Sequence, residues 1–409
     1  MTRRPALPRR TSRQAGAALL LVVASIAVIT ALTLDLAYNT RVSVQLAANA
    51  RDELRALYLA KSAASLSRLV LHFQQQLDGG SGPGRPGAGA IPGLNLGIRL
   101  WELVPLDAST LSFLGGGAPG AQPDSEFSSF GGFDGNFSAK VEDEDRKINV
   151  RQLNGIRPFH WAQAARLAEL FQDARWDFLF DRDDANGLRV SRKELFANLL
   201  DWVDIDEVGS SFTGSLTVPF EKTYGDENAL YDRLPERYKA KNESFDSLDE
   251  LYLVAGVSDP FMAAFGDRLT VFPDKNATIN VCTDDPRELI TNAMVMGGGV
   301  VQPAMADPAF LDKLRLALAV VRPFPFLCMK PLDFARVLQQ LGVRVVPECA
   351  DQASAAVSCP FGQRSSTFRI RATGTAGEVK RTVDQVVVFD RRAGGLEQDL
   401  GRVIHWHEE

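Results

Sequence analysis

The stretch Ala17–Leu34, AALLLVVASIAVITALTL, is an uncharged and mostly apolar run of 18 residues. As an α-helix it spans roughly 27 Å at 1.5 Å per residue, which suffices to cross the hydrocarbon core of a bilayer. Five arginines and no acidic residue lie in the preceding Met1–Gln14, and Asp35 closes the run. Because positive charge stays on the cytoplasmic side, the sequence predicts a single-pass membrane anchor with a cytoplasmic N-terminus and the rest of the chain on the other side of the membrane.

The helical pattern does not stop at Asp35. A secretory signal peptide has a shorter apolar core with small residues after it, whereas the small residues Ala15–Ala18 come before this run. Apolar residues then recur at helical spacing: Leu46, Ala50, Leu54, Leu57, Ala60, Ala64, Leu66, Leu69, Val70 and Phe73. The sequence therefore predicts one long helix over 17–78 that is apolar first and amphipathic afterwards.

This N-terminus resembles that of type IV pilins and of the pseudopilins of type II secretion. The resemblance implies that a prepilin peptidase removes a basic leader, residues 1–16, by cutting between Gly16 and Ala17, and that Ala17 is then methylated. In most members the fifth mature residue is a glutamate that offsets the terminal amine of a neighbouring subunit, but here it is Leu21. A buried amine without a partner costs several kcal/mol. Leu21 therefore suits a subunit with nothing above it, as is typical of the K-type minor pseudopilin at the tip.

Composition limits the possible functions of the ectodomain. The net charge is −6 and the pI is near 5.5, so nucleic acid is not an expected partner. The four cysteines are Cys282, Cys328, Cys349 and Cys359, and no two have the spacing of zinc ligands. An oxidising periplasm favours one or two disulfides, with Cys349–Cys359 expected first, although three complete pairings are possible.

Secondary-structure patterns divide the ectodomain into strands, helices and strands again. Two stretches rich in glycine, Gly79–Ala90 and Gly115–Gly135, are predicted loops. The predicted strands are Ile98–Val104, the alternating segment Phe137–Val141, Thr367–Thr373 and Thr382–Phe389, with a turn at Gly374–Gly377. Helices are predicted over Ala162–Phe171, Arg192–Val203, Ser247–Ala255, Pro308–Val321 and Leu332–Leu341. If the early and late strands share a sheet, the fold is α+β: a pilin-type α/β domain interrupted by a large all-helical insertion.

A short repeat connects the insertion to one family. Lys147-Ile-Asn-Val150 recurs as Thr278-Ile-Asn-Val281, and the first copy follows the acidic stretch Glu142–Asp145. The further matches are Leu200-Asp-Trp-Val-Asp204, the run from Tyr238 to Val257, and Leu269-Thr-Val-Phe272. In this order they resemble the K-type minor pseudopilin of the type II secretion system. Ala17 and Arg151-Gln-Leu153 depart from the family pattern.

The resemblance implies a domain plan in which the insertion is SAM-like or helix-hairpin-helix-like. Its segments are the leader 1–16, the transmembrane and amphipathic helix 17–78, the first part of the pilin-type domain 79–147, a first helical module 148–275, a second helical module 276–345 and the C-terminal strands 346–409. A DNA-binding helix-hairpin-helix is the competing interpretation. It is disfavoured because Val254-Ala-Gly-Val257 has only one of the two hairpin glycines and Asp259 follows it.

Acidic clusters in the first helical module are candidate calcium sites. K-type pseudopilins bind calcium in this helical domain, and the resemblance implies the same here. The main candidate ligands are Asp204, Asp206, Glu207, Asp226 and Glu227. Asp181, Asp183 and Glu194 form a weaker set, because Gly187 and Glu194 miss the register of an EF-hand loop. The alternative is that these acids are solvated loop residues.

The sequence gives no support for a catalytic function. Neither HExxH nor GxSxG occurs, and His405 and His407 lie in a C-terminal tail expected to be frayed. The resemblance implies a non-enzymatic subunit of the pseudopilus tip. Its implied partners are the I- and J-type minor pseudopilins, the major pseudopilin, the inner-membrane assembly platform and prepilin peptidase. The alternatives are a minor pilin of a type IV pilus or DNA-uptake machine, and a signal-anchored periplasmic binding protein.

Overall fold

The structure is a computed structural model that describes most of the chain. It covers residues 13–79, 97–103, 106–107, 129–130, 133–153, 161–172, 174–180, 182–183, 187–215, 218–273, 278–324, 327–351, 359–389 and 400–409. The first twelve residues of the predicted leader and most of both glycine-rich stretches lie outside these ranges.

The first helix, α1, runs over Arg13–Gly79, and the remaining elements are short. The other α-helices are α2 (Leu100–Leu103), α3 (Trp161–Gln172), α4 (Arg192–Asp201), α5 (Asp259–Phe265), α6 (Pro286–Met296), α7 (Phe310–Val321), α8 (Pro331–Gln340) and α9 (Pro347–Ala350). Turns of 3-10 helix occupy Glu144–Arg146, Val150–Gln152, Ala174–Leu179, Glu227–Ala229, Tyr231–Arg233, Asp249–Leu253 and Gly266–Arg268. The strands are β1 (Gly97–Ile98), β2 (Leu106–Asp107), β3 (Ser129–Phe130), β4 (Phe133–Asp134), β5 (Asn136–Asp143), β6 (Ile148–Asn149), β7 (Val208–Phe212), β8 (Phe220–Asp226), β9 (Leu269–Thr270), β10 (Ile279–Asn280), β11 (Leu327–Cys328), β12 (Phe361–Gly362), β13 (Thr367–Ala376), β14 (Val379–Val388) and β15 (Arg402–Glu408).

Helix α1 has two different halves. It is 67 residues long, which corresponds to about 100 Å. Every side chain from 17 to 41 is exposed, and this apolar part is long enough to cross a membrane. Beyond it, Ala56, Leu59, Ala60 and Ala63 are fully buried at helical spacing. The first half of the helix is therefore free for a membrane or for other helices, while the second half belongs to the ectodomain core.

The second half of α1 packs on a five-stranded antiparallel sheet with the order β15-β14-β13-β5-β2. Leu59 and Ala63 share a core with Phe137 of β5 and with Ile370 and Val383 of the late strands. The expectation that the early and late strands share a sheet is confirmed, because β5 pairs with β13 from Phe368–Asp143 to Thr375–Asn136. Everything between these two strands is thus an insertion into the sheet.

Several elements differ from the sequence predictions. The predicted strand Ile98–Val104 is wrong, because Leu100–Leu103 forms a helical turn whose Leu100 N–H donates to Gln74 of α1 at 2.9 Å. The C-terminal tail is not frayed, because Arg402–Glu408 forms an edge strand on β14. Gly374 lies inside β13 rather than in the turn, since the strand continues to Ala376.

The insertion is not all-helical as predicted. Strands β7 and β8 form an antiparallel hairpin, and two short parallel ladders open the modules: β6 with β9, and β10 with β12. The predicted boundary at residue 346 also falls too early. Cys349, Cys359 and Phe361 share one core with Ile279 and Leu289, so the second module continues to β12. Its cysteines are joined as Cys282–Cys328 and Cys349–Cys359, with Cα atoms 5.4 and 5.0 Å apart.

The Ile-Asn-Val repeat of the sequence is also a repeat of the structure. Asn149 and Asn280 are both buried, and each side-chain carbonyl accepts the N–H of the residue two positions later, at 3.0 and 2.9 Å. The amide of Asn149 donates to Pro273, whereas that of Asn280 donates to Asp143 at the end of β5. An asparagine is needed in both places because one side chain must accept locally and donate to a distant segment.

Two buried aspartates, Asp143 and Asp145, connect the two ends of the insertion, where the chain leaves β5 and returns to β13. Asp143 accepts hydrogen bonds from Asn280 and from Ser365 at 2.9 and 2.5 Å. Asp145 accepts from the N–H and hydroxyl of Ser366 at 2.6 and 3.1 Å. Burial and the neighbouring Asp143 carboxylate raise the pKa of Asp145 to about 7. These two aspartates thus fix the second module and the start of β13 to the C-terminal end of β5.

This raised pKa predicts a pH dependence. Between about pH 4 and pH 7 the folded state binds a proton that the unfolded chain, with an Asp pKa near 3.9, has lost. Stability therefore falls as the pH rises through this window. Asp145→Asn retains an acceptor for Ser366 and removes the charge, so its unfolding temperature should depend less on pH than that of the parent. Between about pH 4 and pH 7.5 we expect the parent to lose about 4 kcal/mol of stability that the variant keeps, because each pKa unit corresponds to about 1.4 kcal/mol, as measured by thermal unfolding of the detergent-solubilised chain. The control is Asp312→Asn on the exposed side of α7, and equal pH slopes for Asp145→Asn and the parent would contradict the assignment.

Candidate metal centre

Three buried carboxylates converge at the end of α4. Asp201 is the last residue of this helix, Asp204 follows within one turn, and Glu227 begins the 3-10 turn after β8. One carboxylate oxygen of each lies within 4.8 Å of the others. The three residues are 6, 4 and 7% exposed, so the cluster is largely withdrawn from water.

Local sequence explains why these side chains meet. Ser191 and Glu194 form a capping box that begins α4. Trp202 packs against Tyr231 with ring centroids 5.8 Å apart, and its indole N–H donates to Glu250 at 2.9 Å. These contacts bring the 3-10 turns that follow β8 against the end of α4. Asp201 also fixes the β7–β8 hairpin to the end of α4, because its carboxylate accepts a hydrogen bond from the Ser210 N–H at 3.0 Å.

Burial makes ionisation of the cluster unfavourable. It raises the pKa of Glu227 to about 7, with additional repulsion from Asp204 and Asp201. It also raises the pKa of Asp204 to about 6, although Lys222 opposes this shift. The pKa of Asp201 is raised for the same reason. Like charges collected in a buried site favour a bound cation.

Several carboxylate oxygens of this cluster have no hydrogen-bond partner in the part of the chain that the structure describes. Asp204 Oδ1 and both carboxylate oxygens of Glu227 are buried and have no hydrogen-bond partner among the described residues. A buried carboxylate oxygen without a donor costs about 1–3 kcal/mol or more. Hard cations such as Ca²⁺ take oxygen ligands of this kind. The residues therefore fit a calcium ion better than they fit an apolar or purely hydrogen-bonded core.

Lys222 supplies a positive charge at the edge of the cluster. Its ammonium contacts Asp204, and it donates to Asp206 at 2.9 Å and to the carbonyl oxygen of Val208 at 3.2 Å. Burial lowers the pKa of Lys222, but the hydrogen bonds to Asp204 and Asp206 outweigh this effect and raise it. The Lys222 ammonium contacts Asp204 through its Oδ2 atom, and it gives no hydrogen bond to Glu227.

The structure separates the other predicted ligands of the main set from this cluster. Asp206 is engaged by Lys222, and Glu207 is 71% exposed and 3.7 Å from Lys239. Asp226 accepts the Asn228 N–H at 2.9 Å and caps the 3-10 turn. Only Asp204 and Glu227 of the predicted set are brought together.

The weaker predicted set does not form a cluster among the described residues. Asp181 lies outside the described residues, and Asp183 is exposed beside its bridge partner Arg189. Glu194 accepts the Ser191 N–H at 2.8 Å in the capping box. Its carboxylate therefore has a structural role at the start of α4.

Sequence reasoning missed Asp201. The signal was present in Leu200-Asp-Trp-Val-Asp204, where two aspartates stand three residues apart and can face the same way on a helical turn.

The predicted processing residues Gly16 and Ala17 and the tip signature Leu21 lie on the exposed first half of α1, and Leu21 is 69% exposed.

No family model matches the chain, and no curated protein matches it. The fold is similar to a chain in the crystal structure of the GspK–GspI–GspJ complex from the type 2 secretion system of enterotoxigenic Escherichia coli, with 15% sequence identity and a TM-score of 0.46. The alignment covers 89% of this chain and 99% of that chain.

Proposed function

We propose that this chain is the K-type minor pseudopilin of a type II secretion system. It stands at the tip of the pseudopilus, helps to initiate its assembly and takes part in pushing proteins through the outer-membrane secretin. It is a non-enzymatic protein whose partners are the I- and J-type minor pseudopilins, the major pseudopilin and the assembly platform. Before assembly its N-terminal helix lies in the inner membrane with the ectodomain in the periplasm.

The observation that carries this proposal is the division of α1. Its second half is fixed to the sheet, while every side chain from 17 to 41 is exposed and mostly apolar. A helix of this kind can lie in a bilayer and can later pack among other helices without refolding, because both surroundings accept the same apolar surface. A plain anchor has no need for a rigid continuation into the ectodomain core.

Two further features support the tip position. Leu21 provides no carboxylate for the terminal amine of another subunit, as the sequence indicates. The insertion between β5 and β13 adds two modules with cores of their own beside the sheet. A subunit enlarged in this way fits the end of a filament, where no further subunit covers it.

We further propose that Asp201, Asp204 and Glu227 hold a calcium ion. The support is the set of unpartnered buried oxygens described above. A bound Ca²⁺ supplies the positive charge that three carboxylates share and fixes the β7–β8 hairpin to the end of α4. The ion thus has a structural role in the first module.

The decisive experiment is the mass of the mature chain. We expect that the membrane-extracted protein begins at a methylated Ala17 only in cells with an active prepilin peptidase. A small residue before the cut and a basic leader are present, so processing should be nearly complete. Intact-mass and N-terminal peptide analysis with and without the peptidase measure it.

A matched pair of variants sharpens this test. Gly16→Leu should leave the leader uncleaved, whereas Ser12→Ala, four residues upstream in the leader, should be processed normally. A chain that retains Arg13 and Gln14 in the presence of the peptidase, or one cut after Leu34, contradicts the proposal. Co-purification then separates the I- and J-type partners from the components of a type IV pilus.

A further inference from the structure

The five-stranded sheet ends in a free edge at β15. This strand, Arg402–Glu408, pairs with β14 on one side, and no strand of the described residues pairs with its other side. It is seven residues long and contains neither proline nor lysine, the residues that commonly block a sheet edge. The opposite edge strand, β2, is only two residues long. Of the two edges, β15 is therefore the one that can accept another strand.

The register of β15 decides which of its backbone groups face outward. Thr382 and Glu409 exchange both backbone hydrogen bonds, at 3.0 and 2.9 Å. Hydrogen-bonded and non-hydrogen-bonded pairs alternate along an antiparallel ladder, so His407 also bonds to β14. The N–H and C=O groups of Trp406 and Glu408 then point away from β14. Four hydrogen-bonding groups thus face outward at the spacing of a strand ladder.

Helix α1 holds this edge in place. The Arg68 guanidinium donates to the carbonyl oxygens of Leu400 and Gly401 at 2.9 and 2.8 Å, just before the strand begins. Lys61 Nζ lies 2.9 Å from a carboxylate oxygen of Glu408 near the end of the strand. Since α1 is itself packed on the sheet, the outward groups are fixed before a partner binds. Binding then needs little further ordering of the edge.

Exposed aromatic side chains flank the edge on the side of α1. Lys61 Nζ lies 6.0 Å from the ring centroids of both Tyr58 and Trp406. Tyr58 and Trp406 are 59 and 43% exposed, and Leu54, one turn before Tyr58 on α1, is 58% exposed. The exposed apolar surface of α1 therefore continues to the edge strand. A strand paired with Trp406 would place an apolar side chain beside its ring.

We propose that β15 accepts an extended strand of a neighbouring minor pseudopilin, which becomes the sixth strand of the sheet. The outward groups of Trp406 and Glu408 specify an extended polypeptide, because its backbone presents donors and acceptors at the same spacing. The exposed surface of α1 reaches this edge, so a subunit that packs its helix on α1 also brings its ectodomain beside β15. The choice of partner rests on the proposed function, whereas the free edge is a property of the fold.

The test is amide-resolved hydrogen exchange of the detergent-solubilised full chain, alone and in complex with the I- and J-type subunits. Alone, the amides of Trp406 and Glu408 should exchange much faster than the amide of His407, which bonds to β14. This alternation within one strand is the internal control. In the complex, exchange at Trp406 and Glu408 should slow by about tenfold or more. A complex in which these two amides stay unprotected overturns strand addition and leaves the proposed function intact.

A pair of variants tests the backbone contact separately from the side chain. Glu408→Pro removes one outward N–H and no bond to β14, and proline is tolerated on an edge strand whose N–H faces solvent. It should weaken the complex about tenfold relative to Glu408→Ala, which loses the same carboxylate and keeps the N–H. Equal affinities of the two variants overturn the proposal. If Glu408→Pro disrupts β15, the exchange measurement on the parent decides alone.

The remaining outcomes name other occupants of the edge. Protection of the Trp406 and Glu408 amides that grows with the concentration of the isolated chain would show a second copy there, and it overturns the choice of partner. Slow exchange at every concentration would show that the edge is covered within the chain itself, and it overturns the proposal as well. If no complex forms, strand addition is refuted, and the mass of the mature chain, which does not involve β15, decides separately on the proposed function.

Discussion

Gly374→Val is expected to destabilise the ectodomain by roughly 3 kcal/mol or more, because it forces α1 away from the sheet. Gly374 lies in β13 directly beneath the helix. A Cβ atom at this position would contact the carbonyl oxygen of Ala56 and would lie 2.6 Å from the backbone nitrogen of Ala60. Backbone atoms of a helix cannot rotate away as a side chain can, so the helix or the strand must move.

Movement of α1 would affect a whole layer of the core. Leu59, Ala60 and Ala63 are buried against the same strands, and they can keep these contacts only if the helix stays close to the sheet. Thermal unfolding of the detergent-solubilised chain, followed by tryptophan fluorescence, should show a large fall in the unfolding temperature. Trp101 reports on this region because it packs against Phe368 of β13 at 4.9 Å between ring centroids.

The control for this variant is Gly266→Ala. A Cβ atom there would meet only Met262 Cε at 3.7 Å, and the residue has helical dihedrals of −53° and −39°. The substitution should be neutral or slightly stabilising. If Gly374→Val unfolded at the same temperature as the parent, the close contact between helix and sheet would be refuted.

The long helix and the sheet were predictable because their signals are local. A run of apolar residues and the spacing from Leu46 to Phe73 suffice to define α1, and alternation suffices for β13 and β14. The shared sheet was inferred only from the position of strands on both sides of the insertion. The strand Arg402–Glu408 was missed because it is an edge strand, where half-exposed residues such as Ile404 and Trp406 weaken the alternation.

The candidate site was only partly predictable. Spacing along the sequence located Asp204 and Glu227 but could not exclude Asp206, Glu207 and Asp226, because the pairing with Lys222 and the capping of Asn228 depend on the β7–β8 hairpin. Asp201 was missed since a helix-terminal aspartate is usually exposed. The hairpin buries it, through the hydrogen bond from Ser210. Burial arises from tertiary contacts and is not visible in the spacing of acids.

Glu227→Gln is expected to have opposite effects with and without calcium. If Asp201, Asp204 and Glu227 hold Ca²⁺, a saturating concentration stabilises the parent by about 2.7 kcal/mol at one hundred times the dissociation constant. The variant loses one of the three charged ligands, so most of this calcium-dependent stabilisation should disappear. In a chelator at pH 8 the variant should be more stable than the parent, because ionised Glu227, with its pKa raised to about 7, is unfavourable in the buried cluster.

The matched control is Glu207→Gln, which removes the same charge from the same module. Glu207 is 71% exposed and lies 3.7 Å from Lys239, outside the carboxylate cluster, so the calcium response of this variant should equal that of the parent. Unfolding temperatures measured with calcium, with magnesium and with chelator give both signs of the effect. Equal calcium responses for Glu227→Gln and the parent would refute the site. A response to magnesium as large as that to calcium would refute the choice of ion, because Mg²⁺ demands near-ideal octahedral geometry and gives up its waters reluctantly, whereas Ca²⁺ accepts a flexible set of oxygen ligands.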